Sequence, residues 1–279
     1  AIASEMEPRF AAAGCGVVSN SSAFRMAPNV PLVIPEVNAE HLRLIEEQPW
    51  RRESGGYIVT NSNCTAMGLV LALKPIADRF GITQIFATTM QAVSGAGYPG
   101  VASMDILDNV VPYIGNEEEK MEAETLKLLG RLEGSAVTPL AARISASCNR
   151  VPVVDGHTLS ASIKLGRPAT REEILAAWAE FRPLAGQDLP SAPEQPVEWA
   201  PQNDRPQPRL DRNRGKGMTV TVGRLRPCGL LDWKFTVLSH NTIRGAAGAT
   251  ILNAELLASL GKLDPAAFQV RGLPVGRFA

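Results

Sequence analysis

A single thiol stands where it could act as a nucleophile. Cys64 lies in TNSNCTAMG, residues 60–68, after a short β-rich run and before a long apolar run. The pattern predicts a strand at YIVT, a polar turn, and a largely buried helix over residues 65–81 that ends at Gly81. A helix N-terminus stabilises a thiolate through its dipole and its free N–H groups. We therefore expect Cys64 to be either a nucleophile or, like most cysteines, a buried apolar residue.

Three histidines could serve such a thiol as a base. His41 lies in EVNAEHLRL, which predicts an exposed helical segment and a surface position, and His240 ends a strand before a glycine-rich loop. His157 follows Arg150 by seven residues in NRVPVVDGH. An imidazole and a guanidinium on successive β elements could hold an anionic substrate and move a proton. A turn histidine with a surface arginine fits this pattern equally well.

A polar side chain and a glycine-rich loop follow another predicted strand. Gln91 stands at the strand end in MQAVSGAGYPG, residues 90–100. The glycines would let the backbone approach a ligand closely. The loop neither opens a helix nor matches G-x-G-x-x-G, so by itself it indicates a nucleotide site only weakly.

Charge and composition limit the possible partners. The 279 residues are 45% hydrophobic and carry 28 basic and 28 acidic side chains, enough for one large domain or two. Zero net charge gives no electrostatic basis for binding nucleic acid or an anionic membrane. No apolar stretch reaches the ~20 residues of a membrane span, and the N-terminus does not match a signal peptide.

The other cysteines, Cys15, Cys148 and Cys228, are scattered and predict neither a metal site nor disulfides. We expect a cytoplasmic protein with reduced thiols and a small-molecule partner.

Short strands alternate with helices, which predicts an α/β architecture. A second β-rich run covers residues 30–38, and the clearest amphipathic helix covers residues 117–133. Thr170 and Glu173 form a capping box that opens a further helix. Residues 183–215, rich in Pro, Gln and Arg, predict a long surface excursion or lid. MTVTVGRLR and LLDWKFTVLSH then predict paired strands, followed by a glycine- and alanine-rich loop and a last helix.

Several motifs have an order and spacing that resemble one enzyme family. They are SNSSAFRM, VPLVIPEVN, TNSNCTA, TTMQAVSGAGYPG, EEEKMEAETLK, SCNRVPVVDGH, DRPQPRLDRNRGKGM and LSHNTIRGAAGATILNAELL. Together they resemble the aspartate-semialdehyde dehydrogenase family, in the form typical of archaea, fungi and some bacteria. The resemblance implies reduction of L-aspartyl-4-phosphate to the semialdehyde with NADPH and release of phosphate, on the route to lysine, threonine and methionine. It also implies a homodimer or homotetramer.

The resemblance assigns roles to individual residues. It makes Cys64 the nucleophile that forms an acyl-thioester, Gln91 the residue that orients the intermediate, and His157 the general acid/base. The residues that it assigns to the substrate are Arg25 and Lys120 for the phosphate, Arg150 for the carboxylate, Glu117 for the amino group, and Asn63 beside the nucleophile. The residues that it assigns to the cofactor, NADP, are Asn38, Ser94, Gly95, Ala96, Gly97 and Asn241. It implies no metal.

The resemblance also implies a fold like that of glyceraldehyde-3-phosphate dehydrogenase, with a partial Rossmann domain joined to an α+β catalytic and dimerisation domain. We expect residues 1–62 and 241–279 to form the nucleotide-binding part, to which the last helix returns, and residues 63–240 the catalytic part. The family pattern begins with a strand and a GxxGxxG-type loop for the dinucleotide pyrophosphate, and no such loop precedes residue 60. By that pattern roughly ninety residues are absent, so we expect weak cofactor binding and an exposed sheet edge.

Other functions fit parts of the pattern. Malonyl-CoA reductase resembles this subfamily and uses the same thiol chemistry, but malonyl-CoA has no amino group for Glu117 to meet. N-acetyl-glutamyl-phosphate reductase is a more distant relative. A cofactor-free cysteine acyltransferase or hydrolase with Cys64 and His157 would explain the missing dinucleotide loop, and an inactive fragment that only dimerises is a further alternative.

Overall fold

The computed structural model describes residues 2–263, in which strands and helices alternate as predicted. The α-helices are α1 (Ile2–Ala12), α2 (Pro35–Asn38), α3 (Pro49–Ser54), α4 (Cys64–Phe80), α5 (Ser103–Ile106), α6 (Glu117–Leu128), α7 (Arg171–Ala179), α8 (Pro208–Asp211) and α9 (Gly248–Ser259). The strands are β1 (Gly16–Ser19), β2 (Tyr57–Thr60), β3 (Ile82–Gln91), β4 (Arg131–Glu133), β5 (Ala136–Thr138), β6 (Arg143–Arg150), β7 (His157–Leu165), β8 (Val197–Ala200), β9 (Val220–Pro227) and β10 (Trp233–Ser239). Residue 1 and the end of the predicted nucleotide segment, 264–279, lie outside the described residues.

A six-stranded sheet, in the order β6-β3-β7-β10-β9-β8, carries three of the predicted site residues. β3 pairs in parallel with β6, so that Gln91 stands beside Arg150, and antiparallel with β7, which begins at His157. Side chains alternate across a strand, and the buried positions of these strands place all three residues on the face that α4 covers. β9 and β10 form the antiparallel pair that the sequence predicts.

The helix that carries Cys64 is fixed by the main core. The apolar side chains of α4 pack between the sheet and its neighbouring helices, and the helix ends at Gly81 as predicted. Trp178 of α7 packs edge-on against Phe235 of β10 and donates its indole N–H to the carbonyl of Ala72 at 2.8 Å. The buried indole N–H is therefore satisfied by α4 itself. Tight packing on all sides leaves the start of α4 little freedom to move.

β1 and β2 form a separate parallel pair, aligned from Gly16 beside Tyr57 to Ser19 beside Thr60. α9 packs on this pair, because its buried leucines share an apolar cluster with Tyr57 and Val59. The last described helix thus returns to the N-terminal segment, as the sequence predicts. The domain bounds 1–62, 63–240 and 241–279 stay a prediction.

Two predictions in the N-terminal segment are wrong. The β-rich run at residues 30–38 forms one bridge, Leu32 with Thr60, because Pro35 occupies the first position of α2 and starts a helix. His41, predicted at the surface, is fully buried. Its 3-10 helical segment turns the apolar residues inward and carries the imidazole with them, and burial lowers the pKa of His41.

Two predictions in the second half are also corrected. The helix predicted over residues 117–133 ends at Leu128, and the β4–β5 hairpin follows, with Gly130 too close to β5 for a side chain. The predicted excursion, residues 183–215, contributes β8, which pairs in parallel with β9 at the sheet edge. Asp211 in the same stretch is buried and forms ion pairs with Arg205 and Arg214. Long-range pairing therefore orders a stretch that lacks periodicity.

None of the described helices is long and apolar enough to cross a membrane. Within residues 2–263, no group of three or more His, Cys, Asp or Glu side chains could hold a metal ion.

Candidate active site

Cys64 is the first residue of α4 and is partly exposed. The Asn63 side chain caps this helix, because its Oδ1 accepts the N–H groups of Thr65 at 2.8 Å and Ala66 at 3.0 Å. Gly245 lies directly against Cys64, where a Cβ on the glycine would stand 2.5 Å from Cys64 Cβ. The strand–turn–helix setting predicted for Cys64 is confirmed. The cap uses two free N–H groups of the helix, so these do not bond the sulfur.

His157 directs one ring nitrogen at this sulfur. Its Nε2 lies 3.3 Å from Cys64 Sγ, and its Nδ1 accepts the backbone N–H of Ala92 at 3.0 Å. A neutral imidazole carries one N–H, which the bond from Ala92 places on Nε2. Burial, helped by the charges of Arg150 and His240, lowers the pKa of His157 to about 3. The ring is therefore a neutral hydrogen-bond donor towards the thiol, and it could accept the thiol proton only by losing its bond from Ala92.

Glu117 connects several of the predicted residues around the thiol. This buried side chain lies at the start of α6, and its Oε1 accepts from Asn63 Nδ2 at 2.9 Å, Thr65 Oγ1 at 3.2 Å and Gln91 Nε2 at 3.3 Å. Its Oε2 has no hydrogen-bond partner among residues 2–263. One carboxylate oxygen therefore organises the site, and the other remains available to a cationic ligand.

The thiol is weakly ionised in these surroundings. Burial, and after it the charge of Glu117, raise the pKa of Cys64 to about 11, although Thr65 and the cations Arg25 and Arg150 act in the opposite direction. Only the thiolate is strongly nucleophilic. Ionisation of Cys64 near neutral pH therefore needs more stabilisation of the thiolate than the site provides without a substrate.

Arg150 and His157 are held by the same stretch of main chain. The Nη1 of Arg150, a buried side chain, donates to the carbonyl of Ala92 at 2.7 Å, so Ala92 bonds both residues. The loop that follows covers them, because a Cβ on Gly95 would stand 2.8 Å from Arg150 Nη1 and 2.9 Å from His157 Cε1. Only glycine fits this approach without displacing the two side chains.

The residues predicted for the phosphate lie on two elements. Arg25, in the loop after β1, is buried and donates from Nη1 to Glu124 Oε1 at 3.0 Å. Lys120 is partly exposed on α6. Its spacing from Glu117 and Glu124 places it on the same face of the helix as both carboxylates. This face of α6 therefore contacts both Asn63, at the start of α4, and Arg25.

Comparison with known proteins identifies the family. The family model "Semialdehyde dehydrogenase, dimerisation domain" matches residues 73–244, and "Semialdehyde dehydrogenase, NAD binding domain" matches residues 1–45. The aspartate-semialdehyde dehydrogenase of Archaeoglobus fulgidus is 54% identical over 256 residues, which cover 92% of this chain and 74% of that protein. The chain belongs to the aspartate-semialdehyde dehydrogenase family.

Solved structures of aspartate-semialdehyde dehydrogenases share the fold. The Candida albicans enzyme with NADP superposes with a TM-score of 0.85 at 45% identity, covering 93% of this chain and 75% of that one. The Vibrio cholerae aspartate semialdehyde dehydrogenase II complexed with ASA gives 0.73 at 27% identity, covering 92% and 76%. The predicted fold class, a partial Rossmann domain with an α+β domain, is confirmed.

The glycine-rich loop that the dehydrogenase resemblance assigns to the cofactor is tied through Asn241 to the start of β7. Asn241 Nδ2 donates to Ser94 Oγ at 2.8 Å, and its Oδ1 accepts the N–H of Gly156 at 2.8 Å. Ala96 and Gly97 form the exposed end of the loop. Gly97 has a φ of 69° and no atom within 4 Å of the position where a Cβ would stand. Gly97 therefore leaves bare main chain at the exposed end of the loop, and Gly95 is the residue that approaches His157.

Asn38, also assigned to the cofactor, is engaged within the chain. Its Oδ1 accepts the N–H of Ile34 at 2.9 Å, and its Nδ2 contacts the carbonyl of Leu32 at 2.8 Å and His41 Nδ1 at 2.9 Å. These bonds leave Asn38 no free polar atom for a cofactor. Its role there stays a prediction that this geometry does not support.

A buried ion pair that the sequence did not predict supports the turn beside Cys64. Glu36 and Arg244 are fully buried and form a bidentate pair at 2.8 and 2.7 Å. Arg244 belongs to the π-helical turn Ile243–Ala247, whose Gly245 lies against Cys64. A glutamate inside the apolar run VIPEVN signals a buried partner. The partner stands 208 residues away, so the sequence could not identify it.

Proposed function

We propose that this chain catalyses the NADP-dependent reductive dephosphorylation of L-aspartyl-4-phosphate to L-aspartate 4-semialdehyde through a thioester on Cys64. The observation that carries the proposal is the 3.3 Å approach of His157 Nε2 to Cys64 Sγ at the start of a buried helix. The cofactor and product are supported by the relatives, because the Candida albicans structure contains NADP and the Vibrio cholerae structure is complexed with ASA.

Substrate binding follows from charge complementarity. One nitrogen of Arg150 is bonded to the main chain, and the remaining guanidinium donors would pair with the substrate carboxylate. The Oε2 of Glu117 would accept the substrate ammonium. That pairing would also offset the charge that disfavours ionisation of Cys64. The substrate would thereby help to generate the thiolate that attacks it.

The first half of the reaction transfers the acyl group to sulfur. The thiolate of Cys64 forms a bond to the acyl carbon, and the carbonyl electrons move onto oxygen. The Nε2–H of His157 and the amide of Gln91 stabilise this oxyanion. The oxyanion collapses, the bond to the phosphate oxygen breaks, and phosphate leaves towards Arg25 and Lys120. An acyl-thioester remains on the enzyme.

The second half reduces that thioester. NADPH, when bound, supplies a hydride, and the unsubstituted main chain at Gly97 of the glycine-rich loop would allow a flat ring to approach closely. Asn241 would keep this loop in place. The Nε2–H of His157 would hydrogen-bond to the oxygen as it becomes negative, and this oxyanion would collapse to the aldehyde carbonyl as the C–S bond breaks and Cys64 departs as a thiolate. The thiolate consumed in the first half returns in the second, so the cycle needs no net proton from His157.

Malonyl-CoA reduction is the nearest alternative chemistry. The free Oε2 of Glu117 favours the amino-acid substrate, because malonyl-CoA has no ammonium group to pair with this carboxylate oxygen. A cofactor-free acyltransferase fits less well than a reductase, because the chain belongs to a dehydrogenase family.

The deciding experiment runs the reaction in the phosphorolytic direction. The purified chain, and a version extended with the N-terminal nucleotide segment of a relative, are mixed with the semialdehyde, phosphate and NADP. We expect phosphate-dependent NADPH formation, faster in the extended version, and none with Cys64→Ser. Activity on malonyl-CoA with NADPH, and none on the semialdehyde, would overturn the proposal.

We further infer a homodimer that forms through the open face of the sheet. Phe86 and Met90 of β3 point away from α4 and are exposed, as expected of an interaction surface. The matched dimerisation family model includes this strand. Sedimentation should show a dimer that Phe86→Glu dissociates and that Thr83→Glu, at the strand start, leaves intact. A tetramer or a monomer of the unmodified chain would correct the inference.

We also propose that the activity serves lysine, threonine and methionine synthesis in the cytoplasm. The test is complementation of a bacterial strain that lacks its own aspartate-semialdehyde dehydrogenase. Growth without these amino acids should depend on the introduced chain and fail with Cys64→Ser.

A further inference from the structure

A buried carboxylate outside the proposed mechanism lies between the phosphate residues and the nucleophile. Glu124 of α6 is 1% exposed. Its Oε1 accepts from Arg25 Nη1 at 3.0 Å, and its Oε2 accepts the backbone N–H of Asn63 at 2.6 Å and the hydroxyl of Ser62 at 3.3 Å. A buried carboxylate is costly unless it is paired and hydrogen-bonded. All the hydrogen bonds of the Glu124 carboxylate are made with Arg25 or with Ser62 and Asn63, which precede Cys64 in the chain.

Arg25 depends on this carboxylate for its orientation. Its Nη2 donates to the carbonyl of Asn20 at 2.9 Å, and its Nε has no partner within the described part of the chain. Glu124 is thus the charged group that fixes the guanidinium. The next turn of α6 fixes the main chain of the same residue, because Lys127 Nζ donates to the carbonyls of Arg25 at 2.7 Å and Ala27 at 3.0 Å.

Asn63 is held from the same helix. Glu117 accepts from its side chain, and Glu124, seven residues later on the same face, accepts from its main chain. Asn63 in turn caps the helix that begins at Cys64. One face of α6 therefore sets both the start of the nucleophile helix and the position of Arg25.

We propose that Glu124 is a positioning residue that holds Arg25 and the Asn63 N–H in fixed relation, so that phosphate is bound where Cys64 reacts. The proposal rests on the proposed function, in which Arg25 binds phosphate. A glutamine at this position would keep the shape but lose the charge and one acceptor oxygen. Arg25 would then be free to rotate away, and the N–H of Asn63 would be left with a weaker partner.

The test separates phosphate binding from the rest of catalysis. In the phosphorolytic assay on the extended version, Glu124→Gln should raise the KM for phosphate about tenfold, as the loss of a charge-assisted hydrogen bond predicts. The KM for the semialdehyde should change little, because Arg150 and Glu117 are untouched. Glu119→Gln, at an exposed position on the same helix, is the matched control and should leave both values unchanged.

A second variant and a second readout keep the test decisive if Glu124→Gln does not fold. Glu124→Asp keeps the charge on a shorter side chain and should raise the KM for phosphate by a smaller factor. Inorganic phosphate should also protect Cys64 of the unmodified chain from iodoacetamide, and less so in the two variants. If phosphate neither saturates nor protects the unmodified chain, the proposed function fails. If phosphate saturates and protects the unmodified chain, and does so equally well in the folded Glu124 variants, the positioning role is overturned.

Discussion

The candidate active site has two sides that are held in place by different means. The sheet side consists of the groups at the ends of β3, β6 and β7, namely Gln91, Arg150 and His157. The helix side consists of the groups on α4, α6 and the loop after β1, namely Cys64, Glu117, Glu124 and Arg25. On the sheet side, both ring and guanidinium are bonded to the main chain of Ala92. On the helix side, each of the two carboxylates accepts three hydrogen bonds from its neighbours.

The sheet side therefore controls the geometry of the site, and the helix side controls the ionisation of Cys64. On the sheet side, hydrogen bonds to the main chain hold His157 and Arg150. A substitution that adds volume there should therefore disturb the site more than one that changes a charge. Side-chain carboxylates build the helix side, so altered charge there should change the ionisation of Cys64 and the stability of the buried pairs. The predictions below test these two sides and the buried ion pair that supports the turn beside Cys64.

The largest effect is expected at the thiol itself. Cys64→Ser should lower the rate of phosphate-dependent NADPH formation at least about a thousandfold, because a hydroxyl is far less ionised and is a poorer leaving group. Cys15→Ser, at a distant and partly exposed position, is the matched control and should keep its activity. Comparable rates in the two variants would remove Cys64 from the mechanism.

The buried Glu36–Arg244 pair, next to the turn beside Cys64, should have the largest effect on stability. Arg244→Met leaves Glu36 buried without a partner and should lower the free energy of unfolding by about 3–5 kcal/mol. The double variant Glu36→Met/Arg244→Met should recover much of that loss. Urea unfolding measures all three proteins.

An exposed ion pair provides the control for that comparison. Arg79→Ala breaks the pair with Glu180, in which both side chains are more than a third exposed, and should cost about 0–1 kcal/mol. A cost for Arg244→Met no larger than this would show that the buried pair does not anchor the turn at Cys64.

On the sheet side, a steric change should act on catalysis without changing stability. Gly95→Val places a branched side chain where Arg150 and His157 now stand, and displacement of such groups should lower kcat/KM about a hundredfold. The unfolding temperature should stay nearly constant, because the loop is exposed. Gly229→Val, which has no atom within 4 Å of its Cβ position, should be neutral. Full activity of Gly95→Val would contradict the tight approach of this loop.

The smallest effect concerns the ionisation of Cys64. Its pKa is raised to about 11 by burial and by Glu117, so Glu117→Gln should lower that pKa and increase the thiolate fraction at any pH below it. A change of about 1.4 kcal/mol in the cost of ionisation would make alkylation by iodoacetamide about tenfold faster near pH 8. The rate is followed by mass spectrometry against Glu119→Gln. An unchanged or slower rate would show that Glu117 does not control the thiol.

Local features of the site could be predicted from the sequence. A polar turn before a long apolar run placed Cys64 at a helix start, and the Thr170–Glu173 capping box formed as expected. His157 was also expected on a β element, and β7 begins at this residue. These features depend on bonds and periodicities within a few residues. The proton position on His157 was not predictable, because it depends on the N–H of Ala92, 65 residues away.

The sequence by itself determined which candidate reactive groups the chain carries and the strand–turn–helix setting of Cys64. It also supported the family, because the order and spacing of many motifs are specific even where each motif is weak. Tertiary structure decided which groups meet. The pairing of β3 with both β6 and β7 brings Gln91, Arg150 and His157 together. Burial forces charged groups far apart in the chain to pair, as Glu36 does with Arg244 and Glu124 with Arg25, because an unpaired buried charge costs more than the fold can tolerate.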